Sequence, residues 1–427
     1  MKTAFRAPAL PAAALLFAGT ALAGATAFVG VTAVPARAAD DPAKSATPVH
    51  SATVLFKGGR TESLNGISYH SFRIPSIVRT KAGTLLAFAE GRASSNKDWG
   101  NINLVYKRST DNGASWSGLK EVVGAGQGTW GNPTPVVDMQ TGTIWMFMSW
   151  NPAGYSQTGG YDPDTGTTTT PITKWGDRRT YLMRSTDDGL SFKGLDGTST
   201  PTDMTETLTP KKKANGAEWA WDAMGPGNGV YTSEGHLVVP AQHRNIVSTD
   251  HGQTWRVQKL GEQTGEATIA QLADGTLYRN DRPTTSTWET AKRRWVSRGS
   301  ATGTFSAFAP DDTLLDPKCE ASVLQYNNDA PARTVFLNPA STVQRADKMR
   351  VRISYDNART WPVSRPLSDG PLPAGAGTEG GYSSMAKTSD YRIAALVESN
   401  LDTSSNGTSY RSIIFRKFNL SWILNGG

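Results

Sequence analysis

The 427-residue sequence contains a single cysteine, Cys319, and only five histidines. One thiol cannot form an intrachain disulfide, so the fold must be held by a packed core without covalent staples, and Cys319 reads as a small core filler. His50, His70, His236, His243 and His251 show no H-E-x-x-H spacing, and neither a G-x-S-x-G elbow nor a G-x-x-x-x-G-K-[ST] phosphate loop occurs. No loop has calcium-ligand spacing, and no cofactor or metal is implied. Beyond the N-terminal segment no apolar run is long enough to span a bilayer, and residues 50–425 contain no Pro/Ser-rich linker. Strong amphipathic helical periodicity is also missing, which leaves an all-β reading.

Excess charge is missing too. The formal net charge is +7, but without Lys2, Arg6 and Arg37 the 44 basic residues fall to 41 against 37 acidic, a net +4. That excludes the basic character of a nucleic-acid binder, and the run Lys211-Lys212-Lys213 reads as a solvated loop. Lys2 and Arg6 precede an Ala/Leu/Gly/Val-rich stretch that ends at Ala36-Arg37-Ala38, the form of a secretory signal peptide over residues 1–39. The alternative is a retained anchor, against which the prolines and glycines of the stretch argue. With cleavage, no stable membrane insertion is expected. Residues 40–50 are polar and without period, and are expected as a disordered lead-in to a domain over 51–427.

What is present is a series of short apolar runs bounded by Gly, Asn and Asp, such as 84–88, 102–106, 143–148, 236–240, 350–354 and 392–397. These are strands by length and composition. Among them recurs S-x-D-x-G-x-[S/T]-[W/F]: Ser109 to Trp116, Ser185 to Phe192, Ser248 to Trp255, and Ser354 to Trp361 with Ala358 at the glycine position. Asp-x-Gly suits a hairpin turn, with the carboxylate accepting turn N–H groups and the aromatic packing beneath. Asp111, Asp187, Asp250 and Asp356 are therefore structural. The copies start 76, 63 and 106 residues apart; the last gap has room for two units, and residues 294–307 read as a decayed copy within it. Such repeats suggest a propeller of four-stranded blades. Residues 155–177 and 195–218 read as long surface loops.

Ser71-Phe72-Arg73-Ile74-Pro75-Ser76-Ile77-Val78 places one arginine in an apolar strand, where it needs an anionic partner. The Phe-Arg-Ile-Pro motif together with four Asp boxes resembles a bacterial exo-α-sialidase (neuraminidase) over about residues 66–424. The resemblance implies a six-bladed β-propeller and a substrate whose anomeric carbon carries a carboxylate. Arg73, Arg282 and Arg345 would clamp that carboxylate; Arg350 and Arg352 compete with Arg345, but their alternation suits a solvated face. A carboxylate nucleophile would meet like charge at that carbon, and Tyr382 in Gly380-Gly381-Tyr382-Ser383-Ser384 matches the family's nucleophile. Glu266 would be its base, Asp98 the acid/base, Arg92 a further substrate contact, and Glu398 the partner of Arg73. Lys97 is expected to point away from Asp98, because contact would lower the acid's pKa.

The function so implied is that of a secreted, monomeric, retaining exo-α-sialidase. It would remove terminal sialic acid from glycoproteins, glycolipids and oligosaccharides through a glycosyl-tyrosine. Alternatives are a trans-sialidase, an intramolecular trans-sialidase, or a non-catalytic glycan-binding propeller; the last is disfavoured because a lectin needs neither nucleophile nor base.

Overall fold

The computed structural model describes residues 41–426 except 125, 127, 163–164 and 401–409. The expected signal peptide lies outside the described residues.

The strands form six four-stranded antiparallel blades. Blade 1 is Ser71–Arg79, Leu85–Arg92, Ile102–Ser109 and Lys120–Val123; blade 2 is Gly128–Val137, Ile144–Pro152, Arg179–Ser185 and Thr202–Asp203. Blade 3 is Val230–Tyr231, Leu237–Ala241, Arg244–Ser248 and Arg256–Lys259; blade 4 is Thr264–Gln271, Leu277–Pro283, Arg293–Gly299 and Ala309–Leu315. Blade 5 is Ser322–Asn327, Arg333–Pro339, Met349–Ser354 and Val363–Pro366. Blade 6 is Thr378–Lys387, Ile393–Asn400 and Tyr410–Phe418, completed by the N-terminal strand His50–Phe56, which pairs antiparallel with the last of them. The first strands touch in sequence around the axis and the blade 6 strand meets that of blade 1, so the six-bladed propeller is closed.

Apolar packing follows the same order. Six buried clusters lie one in each seam: Phe72 and Phe415 between blades 6 and 1, Phe88 and Met146 between 1 and 2, and Trp145 and Val239 between 2 and 3. Val238 and Ile269 lie between 3 and 4, Tyr278 and Phe336 between 4 and 5, and Val351 and Val397 between 5 and 6.

Each Asp box joins a third strand to a fourth, at the end of the blade opposite to where first strands begin. In blade 1, Ser109 Oγ donates to Asp111 Oδ1 at 2.8 Å, Gly113 N donates to Ser109 Oγ at 2.8 Å, and Ser115 N donates to Asp111 Oδ1 at 2.9 Å. The bonds repeat around Asp187, Asp250 and Asp356. Three of the box aromatics reach the preceding blade, Trp116 meeting Phe415, Phe192 meeting Phe88 and Trp255 meeting Trp145, while Trp361 meets Phe336 of its own blade. In blade 4 the corresponding turn follows Gly299 and carries no Asp, in the place expected for the decayed copy.

Three expectations are corrected. Residues 41–50 are ordered: Pro42–Ser45 is a 3-10 helix, and the buried Asp41 carboxylate accepts from Arg333 Nη2 at 2.5 Å and from the Tyr355 hydroxyl at 2.8 Å. Asp41 is buried in this ion pair, while Lys44, Ser45 and Thr47 remain exposed. Residues 155–177 form a small three-stranded sheet (Tyr155–Ser156, Gly160–Asp162, Thr167–Pro171), and 195–218 supplies the fourth strand of blade 2. Arg352 is buried, with Nη1 donating to Asn338 Oδ1 at 2.8 Å, whereas Arg350 two residues earlier on the same strand stays partly exposed and bonds Ser364.

Candidate active site

Within a blade the chain runs away from one face along the first strand and returns along the second. Residues early in first strands and late in second strands therefore meet at that face. Arg73 and Glu266 are of the first kind, and Glu90, Arg92, Arg282 and Glu398 of the second.

Arg73 owes its direction to backbone irregularity. The ladder between Ser71–Arg79 and Leu85–Arg92 shifts register between Arg73 and Ser76, and Ile74 sits at φ 53°, a conformation rare for a β-branched residue. Pro75, which has no N–H to leave unpaired, fits this bulge in an innermost strand. The Ile74 amide freed by the bulge donates to Glu398 Oε1 at 3.0 Å, and Arg73 grips the same carboxylate with Nε at 3.0 Å and Nη2 at 3.2 Å.

Tyr382 occupies a second bulge. A Cβ at Gly381 would lie 2.4 Å from Glu398 Oε2, so glycine there makes room for that carboxylate. The Tyr382 hydroxyl donates to Glu266 Oε1 and accepts from Arg282 Nη1 at 2.8 Å, while Arg282 Nη1 also donates to Glu266 Oε2 at 2.7 Å. The guanidinium carbons of Arg73 and Arg345 lie 5.3 and 5.7 Å from the ring centroid. Arg345 is held by Lys318 O at 2.7 Å. Burial and the charge of Glu266 raise the tyrosine's pKa well above its ordinary value, with Arg282 and Arg345 opposing. Tyr382 is accordingly a neutral phenol hydrogen-bonded to the Glu266 side chain.

Asp98 lies on the loop after blade 1's second strand, its side chain 68% exposed. Its Oδ1 is 3.1 Å from Arg73 Nη1 and 2.8 Å from Arg92 Nη2. The pocket walls would raise its pKa, but Arg92 and Arg73 prevail and hold the carboxyl at about 2. The Lys97 ammonium lies 5.9 Å from the Trp99 ring centroid. Asp281, the other carboxylate near Arg282 in sequence, is fully buried against Arg279 at 2.8 Å.

The structure thus brings together Arg73, Arg92, Asp98, Glu266, Arg282, Arg345, Tyr382 and Glu398, while Asp111, Asp187, Asp250 and Asp356 stand at the opposite end of the blades. Arg92, Asp98, Glu266, Arg282 and Tyr382 line a cavity of about 590 Å³ together with Trp99, Asn132, Gln157, Arg178, Trp221 and Gln242. The sequence reading missed Arg178, Glu90 and Tyr410. Arg178 is buried, donates to Asn132 Oδ1 at 2.9 Å and Asp222 O at 2.6 Å, and lies 4.5 Å from the Trp221 ring centroid. Glu90 pairs with Arg92 at 2.5 Å, and strand periodicity was the available signal, since residues two apart share a face. Tyr410 stacks 4.2 Å from the Arg73 guanidinium, and nothing local in the sequence marks it.

A family profile described as "BNR repeat-like domain" matches residues 83–396. An exo-alpha-sialidase of Aspergillus fumigatus is 52% identical over 92% of this chain and 96% of its own length, and one of Arthroderma benhamiae is 50% identical over 91% and 93%. Among solved structures, the microbial sialidase Hz136 superimposes with TM-score 0.65 at 25% identity, covering 83% of this chain and 67% of its own. The leech intramolecular trans-sialidase has the same fold, with TM-score 0.67 at 17% identity over 87% of this chain and 71% of its own.

Proposed function

With the chain a member of the sialidase family and an exo-α-sialidase, we propose that it works by retention through a covalent bond to Tyr382. The observation that carries this reading is the Tyr382 hydroxyl, set between the Glu266 carboxylate and the Arg282 guanidinium. The substrate's carboxylate binds Arg73, Arg282 and Arg345, and this fixes its anomeric carbon above the phenol. Glu266 takes the phenolic proton as the oxygen attacks that carbon. The bond to the aglycone breaks as Asp98 gives its proton to the leaving oxygen. Asp98 then draws a proton from water, which attacks the same carbon, and the electron pair returns to Tyr382 with the proton held by Glu266.

An acid held at about 2 is poorly armed at neutral pH, and the geometry suggests how it gains its proton. Asp98 rests on Arg73, the guanidinium that the substrate's carboxylate needs. Binding displaces Asp98 from Arg73 and neutralises that positive charge, so the acid's pKa rises when the substrate is in place.

The leader-like residues 1–39 support secretion, and a site assembled within one propeller supports action as a monomer. Sialylated glycoproteins, glycolipids and oligosaccharides are the proposed substrates. Product analysis with sialyllactose tests the reading. Free sialic acid with retained configuration is expected; an anhydro sugar, transfer to added lactose, or no turnover would each replace it with one of the other propeller activities.

A further inference from the structure

Two successive amides hold the backbone at the tyrosine, and each meets a different buried carboxylate. Tyr382 N donates to Glu398 Oε2 at 2.9 Å, and Ser383 N donates to Glu320 Oε2 at 2.9 Å. Regular pairing cannot do this work, because the ladder to Ile393–Asn400 breaks between Glu379 and Ser383. Glu320 directly follows Cys319, whose side chain packs with Ile74 and Tyr382.

The two carboxylates differ in their surroundings. Glu398 carries the Arg73 guanidinium. Glu320 is 2% exposed, makes no ion pair among the described residues, and has a buried Oε1 without a partner. Arg294, the nearby cation from blade 4, is committed to Asn280, Asp316 and the Cys319 carbonyl. Glu266 on blade 4 and Glu398 on blade 6 face Glu320 with further negative charge, and the Cys319 thiol and Tyr382 phenol are neutral neighbours. An ionised carboxylate with a lone oxygen in such an enclosure is costly. Burial accordingly raises the pKa of Glu320 well above the carboxylate range; the Ser383 amide and Arg294 oppose this, and Glu266 and Glu398 add to it.

We propose that Glu320 is a positioning residue for Tyr382: a neutral carboxylic acid that fixes the Ser383 amide and keeps negative charge away from the phenolic oxygen. The proposal rests on Tyr382 as nucleophile. As Glu266 draws off the phenolic proton, negative charge grows on the tyrosine, and a second anion alongside would oppose it. Glu320 is neutral at low pH and ionises as pH rises, so its titration forms an alkaline limb of kcat.

The test is steady-state kinetics on sialyllactose as a function of pH, well below the melting temperature, for wild type, Glu320→Ala and Glu320→Gln. Glu320→Ala should lower kcat by about tenfold to a hundredfold, because a misplaced nucleophile costs rate. KM, set by the arginines, should move far less. Glu320→Gln still accepts from Ser383 N and cannot ionise, so it should restore most of the lost kcat and carry activity to higher pH than wild type. Wild-type kcat in Glu320→Ala, a Gln variant as slow as the Ala variant, or a Gln profile that superimposes on the wild-type alkaline limb would each overturn the proposal. If Glu320→Ala does not fold, the alkaline limb of Glu320→Gln decides alone. Tyr382→Phe separates the two readings: if it keeps turnover, the nucleophile assignment falls, whereas an inactive Phe variant with an unshifted Gln profile removes only Glu320.

Discussion

Replacing Tyr382 by phenylalanine keeps a ring near Arg73 and Arg345 and removes only the oxygen that Glu266 and Arg282 share. Turnover of sialyllactose should collapse with the melting temperature nearly unchanged, and a variant near the wild-type rate would show that another group attacks. Asp98→Asn discriminates by leaving group. A sugar alkoxide depends on proton donation by roughly 10²–10⁴ in rate, while an activated phenolate departs almost unaided. Sialyllactose cleavage should therefore fall much further than the phenol burst from an aryl sialoside in single-turnover measurements, and equal losses would reduce Asp98 to positioning. The residues legible beforehand were those carried in short motifs, such as Arg73 in Phe-Arg-Ile-Pro and Tyr382 after two glycines. Arg178, Tyr410 and Glu320 were not legible: Arg178 meets partners 46 and 44 residues away, and Tyr410 and Glu320 act on residues of a neighbouring blade.

At the scale of the repeated turn, the Asp-box glycine is set by its neighbour in the preceding blade. A Cβ on Gly252 would stand 2.2 Å from Trp145, and the residue's φ is 83°. Gly252→Ala should cost about 1–3 kcal/mol from overpacking, with backbone strain added, and lower the melting temperature without changing KM. Ala358, at φ 58°, is the copy whose surroundings leave room for the methyl. The period of the boxes and the alternation of the strands made the blades readable. The ordered state of residues 41–50 was not readable, since Asp41 finds Arg333 across 292 positions of sequence. Asp41→Ala strands a buried guanidinium and should cost about 3–5 kcal/mol in denaturant unfolding, whereas an unchanged midpoint would mean that the segment is held by other contacts.

For the whole molecule, stability is distributed over the seams. Among the described residues the seam between blades 3 and 4 has the smallest cluster, made of Val238, Val247, Ile269, Leu277 and Ala301, and lacks a box aromatic comparable to Trp255 or Trp361. Amide exchange should open there before the other seams. The strand that completes blade 6 has its own weakness, in acid. His50, at the head of the N-terminal strand, has its pKa lowered from 6.5 to about 3 by burial and then by Arg416 and Arg365. The unfolded chain therefore takes up a proton that the folded one refuses. Stability is retained above about 6.5 and declines as pH falls toward 3, by up to roughly 1.4 kcal/mol per pH unit for one proton. His50→Gln, which can still accept from Arg416, should flatten that decline in melting temperature against pH. Among the described residues His50–Phe56 pairs only with Tyr410–Phe418, so the first described strand must wait for the last. The ring therefore closes late: five blades can gather in order of synthesis, but the circle, and with it the meeting of Arg73 and Glu398, is postponed until the sixth blade has been made.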